Sequence, residues 1–243
     1  MSSTDTPIEG SDPPPFEIRR PARLMVPFVY NAPHSGSFYP RDLLKRNRLS
    51  LAALRSSEDS FSDLLFAQAP DMGASMLYAT YARAYVDTNR CAAELDPRMF
   101  SGPLTVPANP KSDRVKVGLG VIPSVVAAGQ MIYGARLPAN EAAQRLNEIY
   151  FPVHEALGRL LDDAFTQFGC VVLVDCHSMP SGKTYGARTA HQSSDIVIGD
   201  AHGQASTPVI TETTVSFLKD LGYRVTVNMP YAGGYNTRHY GRP

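Results

Sequence analysis

The sequence predicts an α/β fold: a three-layer domain with a mostly parallel or mixed central sheet and helices on both faces. Short apolar segments typical of buried strands alternate with longer segments whose apolar residues recur every three or four positions, the period of an amphipathic helix. One strand candidate, residues 170–174, is apolar throughout, as in the centre of a parallel sheet. Polar clusters follow several strands, and in such folds ligands bind beyond the carboxyl ends of the strands.

The composition is that of a globular protein. Its 243 residues are 43% hydrophobic and 19% charged, which provides enough apolar material for a buried core. The 23 basic and 23 acidic residues cancel, so no net charge favours nucleic acid or an anionic membrane as a partner. No apolar run approaches the ~20 residues of a membrane span, and the polar N-terminus does not resemble a signal peptide. We therefore expect a cytoplasmic protein.

The cysteines restrict the kind of metal site that is possible. Cys91, Cys170 and Cys176 form neither a CxxC pair nor an even set. This pattern argues against a disulfide framework and against a thiolate zinc site. Any metal must therefore be bound by histidine and carboxylate side chains.

The N-terminal part of the chain predicts a tail and then a first strand. Residues 1–22 have the proline, serine and acidic content of a flexible tail, so a single domain is expected over residues 23–243. Residues 24–31 are apolar and predict a buried strand, which ends at a turn over residues 32–36. His34 lies in this turn, just beyond the strand.

Three helices and a second strand region follow. Residues 40–46 and 50–55 predict short helices, and residues 58–69 predict a third helix that begins with two acidic residues. Residues 76–86 are rich in β-branched and aromatic side chains and predict one or two strands. The polar segment 87–90 comes directly after them.

The middle of the chain contains a long excursion and a long helix. Residues 91–135 are rich in proline and glycine and predict an irregular segment that covers the site. Residues 140–168 carry apolar side chains at helical spacing, and Pro152 is expected to kink this helix. The apolar strand that follows stops just before His177.

The last elements continue the alternation of strands and helices. Residues 195–199 predict a strand, residues 206–221 a helix and residues 223–228 a final strand, after which we expect irregular structure to the C-terminus. His202 follows the first of these strands and is a candidate for contact with substrate.

Two histidines and an acidic pair provide the residue types of a catalytic zinc site. His34 and His177 follow different strands, and Glu58 and Asp59 begin a predicted helix. Three protein ligands leave a position for water, which zinc activates as a nucleophile while it polarises a carbonyl group. Asp175, two residues before His177, could orient that imidazole. The alternative is that each histidine only forms a hydrogen bond with nearby backbone.

A second polar cluster could bind an anionic substrate group. Arg90 can grip a carboxylate through two parallel hydrogen bonds, and Asn89 can donate a third. The alternative is a surface ion pair between Asp87 and Arg90. We expect His154 and His191 to be solvated and His239 to belong to a turn.

Four motifs carry a resemblance to a known family. They are Ala-Pro-His-Ser-Gly at residues 32–36, Asp-Thr-Asn-Arg at 87–90, Asp-Cys-His-Ser at 175–178, and Gly-Gly-Tyr-Asn-Thr-Arg-His-Tyr-Gly at 233–241. Each motif alone is weak, but the four in this order and with comparable spacing are specific enough to indicate a family. From about Val26 to its C-terminus the chain resembles the N-formylglutamate amidohydrolases.

The resemblance implies a zinc-dependent hydrolase with a fold like that of the zinc carboxypeptidases and aspartoacylase. Such an enzyme releases formate and glutamate from N-formylglutamate, with a metal-activated water attacking the amide carbonyl, and belongs to histidine catabolism. His34 and His177 match the zinc-binding histidines of the family, and the carboxylate ligand falls on Glu58 or Asp59. We expect Asp59 to bind the Zn²⁺ ion and keep Glu58 as a catalytic candidate.

The resemblance also implies a pocket for a small carboxylate substrate. The Asp-x-Asn-Arg segment looks like the substrate-carboxylate clamp of aspartoacylase, which places Asn89 and Arg90 on the substrate's acid group. Arg83 is then the candidate for stabilising the oxyanion. The further residues expected at the pocket are Ser35, His202, Tyr235 and Arg238.

Two departures from the family pattern bear on the site. Residues 57–61 read Ser-Glu-Asp-Ser-Phe where many members have Asp-x-Asp-x-His, which leaves the acidic ligand open. Members also continue past Tyr-Gly-x-Pro into a strand with a Gln-x-Glu motif whose glutamate resembles a general base, whereas this sequence stops at Pro243. Either the sequence is truncated or the base comes from elsewhere. One alternative to the deformylase is therefore a catalytically silent ligand-binding homologue. Another is a carboxypeptidase-like peptidase, because the long segment 91–135 differs greatly in size and shape among such hydrolases.

Overall fold

The computed structural model of the protein describes residues 12–126, 129–180 and 194–241. In these ranges the strands are β1 (Phe16–Arg19), β2 (Phe28–Ala32), β3 (Ser75–Ala79), β4 (Phe100–Ser101), β5 (Leu137–Pro138), β6 (Val172–Asp175), β7 (Ile196–Ile198) and β8 (Val225–Val227). The α-helices are α1 (Arg41–Arg46), α2 (Leu51–Arg55), α3 (Ser62–Leu65), α4 (Asp113–Lys116), α5 (Asn140–Arg145), α6 (Phe151–Phe168), α7 (Pro208–Asp220) and α8 (Tyr235–Tyr240). None of the described helices is long and apolar enough to cross a membrane.

The largest described sheet has four strands in the order β1-β3-β2-β6. Strand β2 runs parallel to both of its neighbours, and β1 pairs with β3 in the antiparallel direction. Strands β7 and β8 form a separate parallel pair, as do β4 and β5. The predicted mixed and mostly parallel arrangement is confirmed.

Alternate residues of the sheet enter different core clusters. Val29 and Leu77 pack with Leu157 of α6, whereas Ala32 and Met76 belong to a cluster that includes residues from the segment after α3. Successive side chains of a strand point to opposite faces. The sheet is therefore covered on both faces, as the predicted three-layer class requires.

The first strand lies inside the segment that we expected to be a tail. Residues 16–19 pair with β3, and Phe16 and Ile18 pack against the core cluster that contains α6. The expected start of ordered structure at Arg23 is therefore too late. The polar residues before β1 obscured the alternation of apolar and polar side chains in this strand. The apolar side chains of the alternation all point to the buried face of the sheet. Residues 1–11 of the predicted tail lie outside the described residues.

The predicted helix over residues 58–69 is much shorter. It is reduced to α3, because Phe61 adopts a left-handed backbone conformation with φ of 67°. A helix cannot continue through this conformation. Strand structure in the predicted region 76–86 likewise ends at Ala79, and the chain continues as an irregular segment toward the polar cluster at 87–90.

Two expectations about helices also change in detail. The predicted helix 140–168 is interrupted by a π-helical turn at Leu146–Tyr150, directly before Pro152. Proline donates no backbone hydrogen bond, so the helical hydrogen bonds are rearranged in the preceding turn.

The C-terminal segment, expected to be irregular, contains α8. The described part of the excursion 91–135 has little regular structure, and its apolar residues, including Phe100 and Ile122, join a buried core cluster.

Replacing Leu157 by alanine should lower the free energy of unfolding by about 2–5 kcal/mol, because the side chain is 1% exposed and would leave a cavity. The matched variant Phe165→Ala is on the same helix at a position that is 57% exposed, and it should change the free energy by less than about 1 kcal/mol. Urea denaturation of both variants tests this. Equal losses would show that α6 does not bury the face described here.

Candidate metal centre

Three potential metal ligands from distant parts of the chain meet at the carboxyl ends of β2 and β6. His34 follows β2, His177 follows β6, and Asp59 lies between α2 and α3. One ligand atom from each lies within 4.8 Å of the others. The Oδ2 atom of Asp59 is 2.7 Å from Nδ1 of His177 and 3.4 Å from Nδ1 of His34. The backbone N–H of Asp59 also donates to the carbonyl of His34.

The two imidazoles are held by carboxylates on their other nitrogens. Nε2 of His34 is 2.7 Å from Oδ1 of Asp87, and Nε2 of His177 is 3.0 Å from Oδ2 of Asp175. Nε2 of His177 is also 3.0 Å from the amide nitrogen of Asn89, and its Nδ1 faces Asp59. The carboxylates therefore orient both rings with Nδ1 directed into the cluster, the arrangement that orients metal-binding histidines. The expected contact between Asp175 and His177 is confirmed.

The donor set fits a zinc ion. Two imidazole nitrogens and one carboxylate oxygen are ligands that catalytic zinc sites use, and they leave a fourth position. Nδ1 of His34 is buried and makes no hydrogen bond to the described residues. Buried polar atoms are normally paired, so an unpaired nitrogen that faces Asp59 is explained by a ligand.

The charges of the cluster favour a cation. Burial lowers the pKa of His177, but the carboxylates of Asp175 and Asp59 outweigh this effect and raise it to about 10. Burial raises the pKa of Asp59, yet the hydrogen bond from His177 and the nearby imidazole of His34 hold it well below its usual range. The pKa of Asp175 is lowered in the same way, with His177 the main opposing partner to burial. A proton or a metal ion is thus stabilised among these groups.

Three asparagine amides surround the carboxylate of Asp175. Its Oδ1 accepts hydrogen bonds from Asn31 at 2.7 Å and from Asn236 at 3.2 Å, and its Oδ2 accepts one from Asn89 at 3.1 Å. The side-chain oxygen of Asn89 accepts the backbone N–H of Asn236 at 2.8 Å. A Cβ atom at Gly234 would overlap the amide of Asn89. The absence of a side chain at Gly234 therefore allows the backbone before α8 to approach the site closely.

Two arginines share the carboxylate of Asp87. Nη2 of Arg83 donates to Oδ2 of Asp87 at 2.7 Å, and Nε of Arg90 is 3.8 Å from the same oxygen. Burial raises the pKa of Asp87, but Arg83 and His34 lower it well below its usual value. Arg90 also donates to the carbonyls of Leu119 and Asn89. The ion pair that we considered between Asp87 and Arg90 is therefore secondary to the one with Arg83.

The structure separates the two acidic candidates. Asp59 faces the histidines, whereas the carboxylate of Glu58 accepts hydrogen bonds from Tyr39, Arg55 and Ser60. Adjacent residues point in different directions here because the backbone turns sharply before α3. Glu58 is not brought into the histidine cluster, and its catalytic role gains no support.

The remaining pocket candidates make local contacts. Ser35 donates to the carbonyl of Ala32 at 3.1 Å, and Arg238 donates to the carbonyls of the two glycines before α8. The hydroxyl of Tyr235 is 3.1 Å from Nδ1 of His239. His202 is exposed in a left-handed turn with φ of 59°. None of these described contacts joins the histidine cluster, so their substrate role stays a prediction.

His154 was expected to be solvated, and this expectation is wrong. Its Nε2 donates to the carbonyl of Thr88 at 2.9 Å, and its Nδ1 accepts the hydroxyl proton of Tyr240 at 2.8 Å. Its position three residues before Leu157, on the flank of the apolar stripe of α6, was the available signal in the sequence. The other histidine expected to be solvated, His191, lies outside the described residues.

Comparisons with known proteins agree on one family. The sequence model of the N-formylglutamate amidohydrolase family matches residues 26–243. An N-formylglutamate deformylase of Pseudomonas putida is 28% identical over 221 residues, which are 90% of this chain and 76% of the relative. A protein of the same name from Pseudomonas aeruginosa is 26% identical over 226 residues, which are 91% of this chain and 77% of the relative. The crystal structure of an N-formylglutamate amidohydrolase from Ralstonia eutropha JMP134 is 33% identical, with a TM-score of 0.86 over 94% of this chain and 81% of that one.

The stability of the metal-free protein should fall as the pH drops from about 6.5 toward 4. Burial lowers the pKa of His154 from its ordinary value of 6.5 to about 4, so the unfolded chain binds more protons in this window and stability rises with pH. His154→Gln removes this titration. In urea denaturation of chelator-treated protein, the free energy of unfolding should therefore fall more steeply with decreasing pH for the wild type than for the variant. Parallel curves across the window would contradict the assignment of a neutral, buried His154.

Proposed function

The chain belongs to the N-formylglutamate amidohydrolase family, and we propose that it is a zinc-dependent deformylase of N-formylglutamate or a closely related N-acyl amino acid. The observation that carries this proposal is the convergence of His34, Asp59 and His177, with each imidazole held by a buried carboxylate on its second nitrogen. A site of this kind is suited to hydrolysis of a linear amide.

The metal would be held by Nδ1 of His34, Nδ1 of His177 and Oδ2 of Asp59. A zinc ion at such a site polarises a carbonyl group and lowers the pKa of a coordinated water toward about 7. With a metal bound, hydrogen bonds from Nε2–H to Asp87 and Asp175 would keep both imidazoles in the tautomer that leaves Nδ1 unprotonated. The protein therefore orients its ligands before substrate binds.

The substrate carboxylate would bind beside Asp87. Arg83 and Arg90 both place a guanidinium near this carboxylate, which itself contacts His34, so positive charge lies next to the histidine cluster. Nη2 of Arg90 makes no hydrogen bond to the described residues and is available to a substrate oxygen. The side chain of Asn89 already contacts Asp175, His177 and Asn236, so its part in binding the carboxylate stays a prediction. Arg83, whose side chain is 21% exposed, would stabilise negative charge on the carbonyl oxygen during hydrolysis.

The acidic pair provides the sharpest test of the metal site. Asp59→Asn should lower zinc affinity by about 10-fold or more and abolish most hydrolysis of N-formylglutamate, because it removes a ligand charge. Glu58→Gln makes the same chemical change one residue away and should bind zinc as the wild type does. Zinc content by mass spectrometry and formate release by a coupled assay give both quantities, with His177→Ala as a second ligand variant.

Zinc content and formate release that remain undiminished in both ligand variants would refute the metal assignment. A panel of N-formyl, N-acetyl and dipeptide substrates assayed with added zinc tests the substrate class. Turnover of dipeptides alone would favour a peptidase and remove the deformylase from consideration.

Arg90→Met should lower kcat/KM for N-formylglutamate by about 10- to 100-fold, since a hydrogen bond to a charged group is worth about 1.5–3 kcal/mol. The loss should be much smaller for a substrate analogue whose carboxylates are amidated. Arg98→Met removes an arginine whose side chain is 77% exposed and should leave both rates unchanged. Equal losses for charged and amidated substrates would mean that Arg90 acts on the fold and not on the carboxylate.

A further inference from the structure

His154 connects three parts of the chain around the proposed metal centre. It is on α6, its Nε2 donates to the carbonyl of Thr88, and its Nδ1 accepts from Tyr240 at the end of α8. A carbonyl oxygen only accepts hydrogen bonds, so Nε2 must carry the proton and Nδ1 must be the acceptor. Both nitrogens are therefore fully used within the protein.

The contact with Thr88 fixes the backbone between the two residues that hold the imidazoles. Asp87, on one side, binds Nε2 of His34 at 2.7 Å. Asn89, on the other side, donates to Asp175 at 3.1 Å, and Asp175 in turn binds His177. A displacement of the Thr88 carbonyl would thus change the positions of the supports of both histidines at once.

The contact with Tyr240 fixes α8 against the same network. Asn236, one turn earlier in α8, donates from its backbone to Asn89 and from its side chain to Asp175. The imidazole of His154 is packed between aromatic rings, with the ring of Tyr150 centred 4.3 Å away and that of Tyr240 centred 5.9 Å away and nearly parallel. The ring has little freedom to rotate.

We propose that His154 is a positioning residue of the metal centre, which it supports through Thr88 and Tyr240 without touching a metal ligand or the substrate. This inference rests on the proposed function, because it assumes that His34, Asp59 and His177 bind a metal. Groups that hydrogen-bond a metal ligand directly typically contribute 10- to 100-fold to metal affinity. His154 is one contact further from the ligands, so we expect its loss to cost about 10-fold.

The protonation state of His154 supports this role. Burial lowers its pKa to about 4, so the ring is neutral at physiological pH and keeps one donor and one acceptor. A neutral ring avoids placing a further positive charge near the proposed metal site. An apolar residue of similar size would instead leave the Thr88 carbonyl without its partner.

The test compares His154→Leu, which removes both hydrogen bonds, with His154→Gln, whose amide nitrogen can still donate to Thr88. Zinc affinity is measured by competition with a chromophoric chelator, and the visible spectrum of the Co²⁺-substituted protein reports the ligand geometry. His154→Leu should bind zinc about 10-fold more weakly and show an altered spectrum. His154→Gln should recover most of the affinity.

Leu160→Val is the control for a loss of stability alone. Leu160 is 1% exposed on the same helix, in the core cluster that faces the sheet. It should lower the melting temperature and leave zinc affinity and the cobalt spectrum unchanged. If His154→Leu does not fold, Tyr240→Phe, which removes only the hydroxyl donor to Nδ1, should weaken zinc binding in the same direction.

The outcomes separate the inference from the function on which it rests. A wild-type protein that binds no zinc would refute the metal centre and the positioning role together. Wild-type zinc affinity and spectrum in His154→Leu, or an equal loss in Leu160→Val, would overturn the positioning role alone and leave the proposed deformylase standing.

Discussion

The proposed metal centre depends on the parallel pairing of β2 with β6. The register places Asn31 opposite Asp175, and the side chains of this pair are joined by a hydrogen bond of 2.7 Å. Because parallel neighbours end at the same edge of a sheet, the residues that follow each strand are brought together there. His34 and His177 are such residues, and the separation of their ring centroids is only 4.8 Å. A shift of one residue in this register would direct Asn31 to the other face.

The pairing also explains why so many polar groups can be buried at one point. Asp87 and Asn89 are nearly inaccessible, and burying such groups costs free energy unless they are paired. Here each carboxylate accepts from at least one imidazole, guanidinium or amide group. A hydrophobic core at the same place would be simpler to stabilise. The presence of this network is therefore better explained by a function that needs fixed imidazoles and a fixed charge than by stability.

The sequence predicted the parts of this site that local patterns determine. Apolar runs identified β2 and β6, and their ends located His34 and His177. The choice between Glu58 and Asp59 was beyond the same reasoning, because it depends on the directions of two adjacent side chains in the irregular segment between α2 and α3. Asp87, Asn236 and His154 were missed as supports for a related reason. Their partners are distant in sequence, so only the packed structure shows what each side chain binds. Strand β1 was hidden by the composition of its neighbours.

The exposure of the two histidines implies a direction of approach for the substrate. The side chain of His34 is 3% exposed, enclosed between Asp59 and Asp87, whereas that of His177 is 34% exposed. Among the described residues, the site is therefore more enclosed at His34 than at His177. Arg83, the more exposed of the two arginines at Asp87, lies beside His34, because Asp87 also holds that imidazole. In the proposed deformylase, the substrate would reach the site past His177, and the enclosed ring of His34 would keep its position when the substrate enters.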